Sequence, residues 1–481
     1  MYKRQIIFSS HPIPGNEKAV TKVINELSIK GAEVIFQDVH VSGHACQEEI
    51  KLIYTLVQPK YAIPVHGEFK HRKAQSRLAA DLGIPKENIF MINSGDVVWV
   101  GALTSGAPQV VDAVTDRYEE LENVRLIGDF SLTEYKCFKS SKYKGHVSYD
   151  TLFLGTYERA YLKEGNIRPN IVKFADSYKA ISEVYKPNVM ICEVTEPDEE
   201  GYMYYGCTGV AWNGKVADIV DKIIVQINNC QKKVSGWKHR IHVKDVDAIC
   251  RHDHPVYEYI QPPVTERDQI MAGYILPLIP DGATLQIGIG GVANAVAYGL
   301  TDKKHLGVQT EMLTESLMHL TKQGIVDKDR VVAAFILGNE ETYDFALTGI
   351  PQLGPVDEII SPSIAGQIPN FIAINGCMMA DLTGQICSET VGHRQYSGTG
   401  GQLDCIRSGN MSPGGKSFLC MPSRKKMKDG TYHSTITLNL PAGEIVTVPR
   451  TDVMYVVTEQ GIANLYNRPI AVSYTHLTLP T

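Results

Sequence analysis

The chain has 481 residues, 43% of them hydrophobic and 21% charged, with a net charge of −6 and 10 cysteines without CxxC spacing. This composition excludes an intrinsically disordered chain, a collagen-like repeat and a disulfide scaffold. It lacks the basic surplus that nonspecific phosphate-backbone binding uses. An anionic ligand then has to be held by local groups, such as glycine turns and a few placed Lys or Arg. At ~100–200 residues per domain, about three domains are expected. No apolar run approaches the ~20 residues of a membrane-spanning helix, and the start shows no secretory-signal pattern. Scattered thiols fit a reduced, cytoplasmic protein with no membrane partner.

Both ends read as non-native. Tyr2-Lys-Arg-Gln5 can be encoded by TATAAGAGACAG, and Ala471-Val-Ser-Tyr-Thr475 by a string containing its reverse complement. The ends resemble one transposase adapter read in opposite directions. Residues 1–5 and 471–481 are therefore set aside from fold reasoning, and the natural termini of the remaining parts are expected to be missing.

Residues 6–96 alternate strands and helices. Ile6–Phe8 is a short apolar strand that runs into the turn-rich Ser9–Glu17. Val20, Val23, Ile24 and Leu27 have helical spacing, Ala32–Gln37 is a strand, and Asp38–Ala45 is a loop with His40 and His44. A helix starts near Gln47, and Tyr61–Val65 is a strand ending at His66. Such alternation implies a parallel α/β sheet with polar loops at the strand ends. The motifs SSHPIPGNE (Ser9–Glu17), VHVSGHA (Val39–Ala45), PVHGE (Pro64–Glu68) and NSGDV (Asn93–Val97) resemble ribonuclease J, of the β-CASP branch of the metallo-β-lactamase family. The resemblance implies a fragment from the end of that enzyme's catalytic core. There His66 would be a zinc ligand and His44 a proton donor beside the scissile phosphate. The family's main ligand set, HxHxDH, does not occur in this chain. One histidine cannot hold a catalytic zinc, which needs about three protein ligands. His66 and His44 are therefore expected to be vestigial, with no metal and no nucleic acid bound through this part.

The junction falls near 94–101, where Ser94-Gly95-Asp96-Val97 ends one pattern and the next begins. Two unrelated coding sequences joined there, rather than a natural fusion, is the expectation. Beyond it, strands are predicted at Val97–Val100, Val124–Asp129, Val189–Val194 and Lys222–Gln226. A helix is predicted over Pro108–Leu121, with Val110, Val111, Val114 and Tyr118 on one face. A second α/β run begins near Ala283, with strands at Leu285–Ile289, Gly307–Thr310, Val331–Phe335, Phe371–Asn375 and Met454–Val457. The proline-bearing stretch 251–282 reads as a linker. The expected units are 6–96, 97–260 and 261–470.

In Thr284–Glu315 a strand runs into Gly288-Ile-Gly290-Gly291, then a helix, then a short strand delivering Glu311. Glycines at such a turn let backbone N–H groups approach a ligand, and a helix N-terminus favours negative charge. Two readings compete. Gly288-x-Gly290-x-x-Ala293 with Glu311, 311 − 288 = 23 residues on, fits a dinucleotide fold. A carboxylate nucleophile at Glu311 fits covalent catalysis. A packing turn with a surface Glu is the plain alternative. A second cluster, Gly398-Thr-Gly400-Gly401 and Gly414-Gly415-Lys416-Ser417, offers N–H donors and one Lys to an extended anion or an oxyanion. His252 and His254 read as neighbouring surface histidines. Tyr202, Tyr204 and Tyr205 read as either an acyl-pocket wall or a strand-edge cluster. Arg450 and Asp452 read as an ion pair, or Arg450 as a phosphate contact.

The motifs PDEEGYMYYG (Pro197–Gly206), LQIGIGGVANAV (Leu285–Val296), KKHLGVQTEMLTE (Lys303–Glu315), YSGTGGQLD (Tyr396–Asp404), SPGGKS (Ser412–Ser417) and VPRTDVMYVVTEQGIANL (Val448–Leu465) resemble, in this order, the acetyl-CoA hydrolase/transferase family, within it the 4-hydroxybutyrate and butyrate:acetyl-CoA CoA-transferases. The resemblance covers about 97–470 and implies two CoA-transferase-type α/β domains. It implies Glu311 as the nucleophile that forms a glutamyl-CoA thioester, with Gly400 and Gly401 as oxyanion donors. Gly288, Gly290, Gly291, Gly398 and Lys416 would contact coenzyme A. It implies coenzyme A as a substrate, no permanently bound cofactor, and acyl-CoA and short-chain carboxylates as partners, with a homo-oligomer left open. Gln309 departs from the His common in the family, which touches local substrate contacts and not the nucleophile. An acyl-CoA hydrolase and an inactive chimera are the alternatives.

Overall fold

The computed structural model describes residues 94–478 continuously and, before them, 5–8, 22, 26, 29–30, 33–36, 46–59, 62, 64, 69–85 and 89. His44 and His66 lie outside the described residues, as do the loop 9–17 and most of the predicted helix over 17–30. Gln5–Phe8 pairs in parallel with Glu33–Phe36, and helices span Gln47–Val57 and Phe69–Asp81. The strand predicted at Tyr61–Val65 is represented by Ala62, bridged in parallel to Ile89.

Two large sheets organise the rest. Their strands, in chain order, are β1 Val97–Val100, β2 Val124–Gly128, β3 Val147–Thr151, β4 Ile167–Pro169, β5 Val189–Val194, β6 Lys222–Ile227, β7 Ser235–Gly236 and β8 Ala248–Arg251. They continue as β9 Thr284–Ile287, β10 Leu306–Leu313, β11 Val326–Ile336, β12 Gln352–Leu353, β13 Phe371–Gly376, β14 Lys416–Cys420, β15 Tyr455–Thr458 and β16 Gly461–Asn464. The first sheet has the order β8-β6-β5-β1-β2-β3-β4 and is parallel throughout. The second has the order β7-β12-β11-β10-β9-β13-β14-β15-β16, parallel except for the last pair. The fold is thus α/β with parallel sheets. The central strands are apolar runs such as Val189–Val194, buried at every position, because helices and loops cover both faces.

Local chemistry explains the helices around them. The first (α1, Pro108–Asp116) starts on Pro108, whose missing N–H costs nothing there, and buries Val110, Val111 and Val114. It is shorter than predicted, because its end tightens into a 3₁₀ turn at Tyr118–Glu120. The proline-bearing linker contains α2 (Glu266–Ile275), which opens with a capping box between Thr265 and Asp268. It is followed by α3 (Gly291–Gly299) and α4 (Gln402–Met411). Strand β3 escaped the sequence pattern because Ser148 and Asp150 interrupt it. Asp150 is nevertheless buried between two guanidiniums, 2.6 Å from Arg125 and 2.5 Å from Arg168. No helix among the described residues is long and apolar enough to cross a membrane.

The two sheets share one core. Edge strand β7 comes from the chain before residue 261, yet it pairs with β12 of the second sheet. One cluster of buried side chains runs from Trp99 through Phe174 and Trp212 to Phe335, Leu285 and Phe371. The Trp212 indole stacks on Phe335 with centroids 6.4 Å apart, and its N–H donates to Ser177 Oγ at 2.9 Å. Replacing Trp212 with Ala should therefore destabilise both sheets together by about 3–5 kcal/mol. The check is a denaturant titration followed separately by probes in each half. Both transitions should move to the same lower midpoint, and a shift of the first half alone would refute the shared core.

Candidate active site

Strand β9 lies between β10 and β13, so the chain order reverses direction there. In parallel α/β sheets the crevice at the carboxyl ends of such strands is where ligands bind. A cavity of about 220 Å³ opens at this point, lined by Gln286, Gly288, Glu311, Asn375, Gly376 and the 397–402 segment. Phe130, Phe153 and Phe174 from the first half close it, with Met312 and Phe335 from the second. Glu311 is the one ionisable side chain on that lining among the described residues. A larger cavity, about 640 Å³, lies at the far edge of the second sheet near Arg424, Tyr432 and His476, and holds none of the candidate residues.

Glu311 sits within β10 and not past its end as predicted, because pairing with β11 continues to Leu313 opposite Ile336. Gln309 and Glu311, two apart, share a face of the strand. Gln309 Nε2 donates to the Ile359 carbonyl at 2.8 Å, which fixes that face. The Gly401 backbone lies against the Glu311 carboxylate, and its N–H favours the ionised form. A Cβ on residue 401 would overlap Glu311 Oε2, so only glycine allows this approach. Gly400 takes the left-handed conformation (φ +58°), and its carbonyl accepts from Phe174 N–H at 3.1 Å. A Cβ on Gly398 would stand 3.0 Å from Phe153 Cα. Gly398, Gly400 and Gly401 are thus brought to Glu311, and Gly288 joins them from the end of β9.

Gly290, Gly291 and Lys416 are not brought there. Gly290 (φ +123°) caps α3 outside the cavity lining, and Gly291 abuts the Asp268 carboxylate of α2. Lys416 is the first residue of β14 and pairs with Ile372 near the start of β13, whereas the cavity meets β13 at its end, Gly376. The reason is α4. Its 10 residues, about 15 Å long at 1.5 Å per residue, carry the chain from the Gly398–Gly401 loop back to the opposite end of the sheet. The second glycine pair, Gly414 and Gly415, packs there against Asn370 and Ser412.

Three buried carboxylates, Asp129, Glu158 and Asp404, surround the half-buried Glu311. Burial pushes the Glu311 carboxyl up to about 8, the charge of Asp404 adds to this, and the Gly401 N–H opposes it. Burial also raises Asp404, against an N–H donated by Ala175 at 3.1 Å and an ion pair with Lys173 at 3.4 Å. Asp129 is raised by burial, with added repulsion from Glu311 and Glu158. Glu158 is pushed up to about 7 by burial although Ser131 N–H donates to it at 2.6 Å. Sequence reasoning missed Asp129, Glu158, Lys173 and the phenylalanines, since only the tertiary fold collects them. Asp404 lay within a quoted motif.

Other expectations resolve differently. His254 is not a surface residue: its Nε2 lies 2.5 Å from Oε1 of Glu193, a wholly buried carboxylate that also accepts from Gln226, Asn228 and Gln231. His252 remains exposed. Tyr204 and Tyr205 are buried and none of the three tyrosines lines the cavity, so the strand-edge reading holds. Asp452 pairs with Arg407 at 3.1 Å and not with Arg450. Among the described residues no group of three or more His, Cys, Asp or Glu is placed to hold a metal.

The acetyl-CoA hydrolase/transferase C-terminal domain matches residues 338–478, and the Zn-dependent metallo-hydrolase RNA specificity domain matches 32–91. Over 395 residues the chain is 34% identical to succinyl-CoA:cyclohexane-1-carboxylate CoA transferase of Geobacter metallireducens, spanning 79% of this chain and 87% of that one. It is 33% identical to 4-hydroxybutyrate coenzyme A transferase of Clostridium kluyveri over 68% and 77% of the two chains. The crystal structure of RipA from Yersinia pestis superposes with a TM-score of 0.73 at 27% identity, over 80% of this chain and 90% of that one. The N-terminal part is 48% identical over 108 residues to Ribonuclease J 1 of Streptococcus pyogenes, covering 22% of this chain and 19% of that enzyme. Behind a segment similar to ribonuclease J, the chain belongs to the acetyl-CoA hydrolase/transferase family of CoA-transferases.

Proposed function

We propose that residues 97–470, as two units divided near 260, move coenzyme A between a short-chain acyl-CoA and a carboxylate through a thioester on Glu311. The observation that carries this is a half-buried carboxylate that faces a cavity without any other ionisable side chain and has the Gly401 backbone against it. The carboxylate oxygen attacks the thioester carbonyl, giving a mixed anhydride and CoA thiolate. The thiolate attacks the Glu311 carbonyl of the anhydride, forming glutamyl-CoA and releasing the first acid with one oxygen from Glu311. An acceptor carboxylate then reverses the steps, which makes the kinetics ping-pong. The Gly401 N–H that holds the resting carboxylate remains beside the glutamyl carbonyl oxygen, where negative charge develops in each attack. Gly400 shapes the loop that presents it, and Gly288 borders the same cavity. The phenylalanine walls keep water from the thioester, favouring transfer over hydrolysis.

The cavity also supports a choice of acyl group. Four phenylalanines stand among its walls beside uncharged polar side chains, and its one ionisable side chain is the proposed nucleophile itself. Acetyl, butyryl and 4-hydroxybutyryl chains fit that chemistry, whereas a second carboxylate would meet no cation on the lining. With butyryl-CoA, kcat/KM should exceed that for succinyl-CoA at least about tenfold, a ratio that corresponds to ~1.4 kcal/mol. Equal values would contradict an acyl site without a cation. Incubation with butyryl-CoA and then borohydride or hydroxylamine should modify the Glu311 peptide, and an unmodified peptide from folded, active protein would sink the proposed nucleophile.

A neutral Glu311 cannot attack, so kcat/KM should rise about tenfold per pH unit and level off near pH 8. Asp404→Asn removes a repelling charge and should shift that limb to lower pH. For stability the sign is opposite. The folded carboxyl holds its proton far above the ordinary carboxylate range. The contribution of the neutral form is therefore complete below that range and is lost as pH climbs to about 8. Thermal melts should show Glu311→Gln gaining over the wild type more at pH 8.5 than at pH 5. A constant difference would contradict a raised Glu311.

For residues 6–96 we propose no nuclease activity, with His44 and His66 holding no metal. The RNA specificity domain match ends at residue 91 and the first strand of the following sheet starts at Val97, which supports two joined coding sequences. Amplification of source DNA across codons 60–140 should fail while each flank extends into a separate gene, and a product of the expected length would establish a genuine fusion.

A further inference from the structure

The glycine loop that meets Glu311 needs something to hold it, because three of its four residues, Gly398, Gly400 and Gly401, have no side chain at all. The chain before it forms a short hairpin, Thr390–Val391 paired with Arg394–Gln395, and then folds back over Ser388 and Glu389. Glu389 is 3% exposed. Its backbone carbonyl accepts from Tyr396 N–H at 2.7 Å and from Ser397 N–H at 3.1 Å. Its Oε2 accepts from Gln395 Nε2 at 3.0 Å and from Thr399 Oγ1 at 3.4 Å. Its Oε1 accepts from Thr447 Oγ1 at 3.0 Å, and Thr447 in turn accepts from Ser388 N–H at 3.0 Å. Gln395 Nε2 also reaches the Ser397 carbonyl at 2.7 Å. The buried carboxylate therefore ties residues 395 and 399 to Thr447 on the other side of the loop, while the Glu389 backbone carbonyl holds 396 and 397. Two residues beyond Thr399 is Gly401, whose backbone lies against the Glu311 carboxylate.

We infer that Glu389 is a positioning residue for the reaction: it sets the Gly398–Gly401 loop so that the Gly401 N–H stays on Glu311 through the catalytic cycle. Glu389 itself is absent from the cavity lining, while its neighbours Ser388, Ser397 and Thr399 are on it. Its effect must pass through the loop. The inference rests on Glu311 being the nucleophile, which the trapping of the wild-type thioester tests separately.

A glutamine at 389 can turn its amide oxygen towards Gln395 and Thr399, keeping both bonds to the loop, whereas alanine loses them. Glu389→Ala should lower kcat about a hundredfold or more, with the KM for butyryl-CoA changed less than about threefold. The rising limb of its kcat/KM profile should move to higher pH, since a Glu311 anion that loses the Gly401 donor is harder to form. Asp404, Asp129, Lys173 and Cys405, the other ionisable groups around Glu311, are unchanged in this variant. Glu389→Gln should restore most of kcat and return the limb to its original position. Gln395→Met, which removes one donor at a part-buried hairpin end, should move the limb in the same direction by less, and it decides the matter if the alanine variant does not fold. A folded Glu389→Ala protein with unchanged kcat and limb would overturn the inference. So would a loss of activity in Glu389→Ala that glutamine does not rescue, or, where Gln395→Met is the deciding variant, an unmoved limb. If wild type forms no thioester on Glu311, the proposed reaction fails first, and that result is independent of residue 389.

Discussion

The contact between the Gly401 backbone and Glu311 is the constraint from which the rest of the site follows. Nothing larger than glycine fits between the loop and the carboxylate. The loop must approach closely from one side while β10 holds the acid from the other. The same loop reaches across to the first half of the chain. The Gly400 carbonyl accepts from Phe174 N–H, and Asp404, one turn into α4, caps Ala175 and pairs with Lys173. The seam between the halves and the environment of Glu311 are thus built from the same few residues. The shared core through Trp212 and Phe335 gives that seam a rigid base.

Reactivity and stability pull against each other at this point. A carboxylate attacks a thioester best when water does not solvate it, yet removing water raises the energy of the anion. The cavity resolves part of this conflict. One backbone N–H favours the charged form, while burial and Asp404 oppose it, and the outcome is a carboxyl that ionises near neutral to mildly alkaline pH. Asp404 is itself raised by burial and restrained by Ala175 and Lys173. The charge on Glu311 is therefore set by a chain of contacts that crosses from one half of the protein to the other.

Much of this was legible in the sequence. Apolar runs marked the central strands, because strands buried on both faces need no alternation. Gly288 and Glu311 stood at a strand–helix–strand spacing that carries site chemistry in any α/β sheet, and the Gly398–Gly401 run marked a close backbone approach. What failed was inference from nearness in the sequence. Lys416 lies 15 residues from Gly401 (416 − 401), but α4 takes it to the far end of the sheet. His254 looks like a surface residue beside Asp253, and only the fold reveals the buried Glu193 behind it. The aromatic walls, Asp129 and Glu158 carry no local pattern, since each matters through partners tens or hundreds of residues away, and Glu389 matters through a hairpin and loop that no periodicity marks. Within the N-terminal segment, His44 and His66 fall outside the described residues.

The central claim is that Glu311 supplies the oxygen that leaves with the first acid. A single turnover with butyryl-CoA, run in ¹⁸O-labelled water without any acceptor carboxylate, tests this directly. Unlabelled butyrate, released in an amount matching the protein, is the predicted result, since its new oxygen comes from the glutamyl carboxylate. Butyrate carrying ¹⁸O from the solvent in that first turnover would mean that water attacks the thioester, and the account of Glu311 as nucleophile would be wrong.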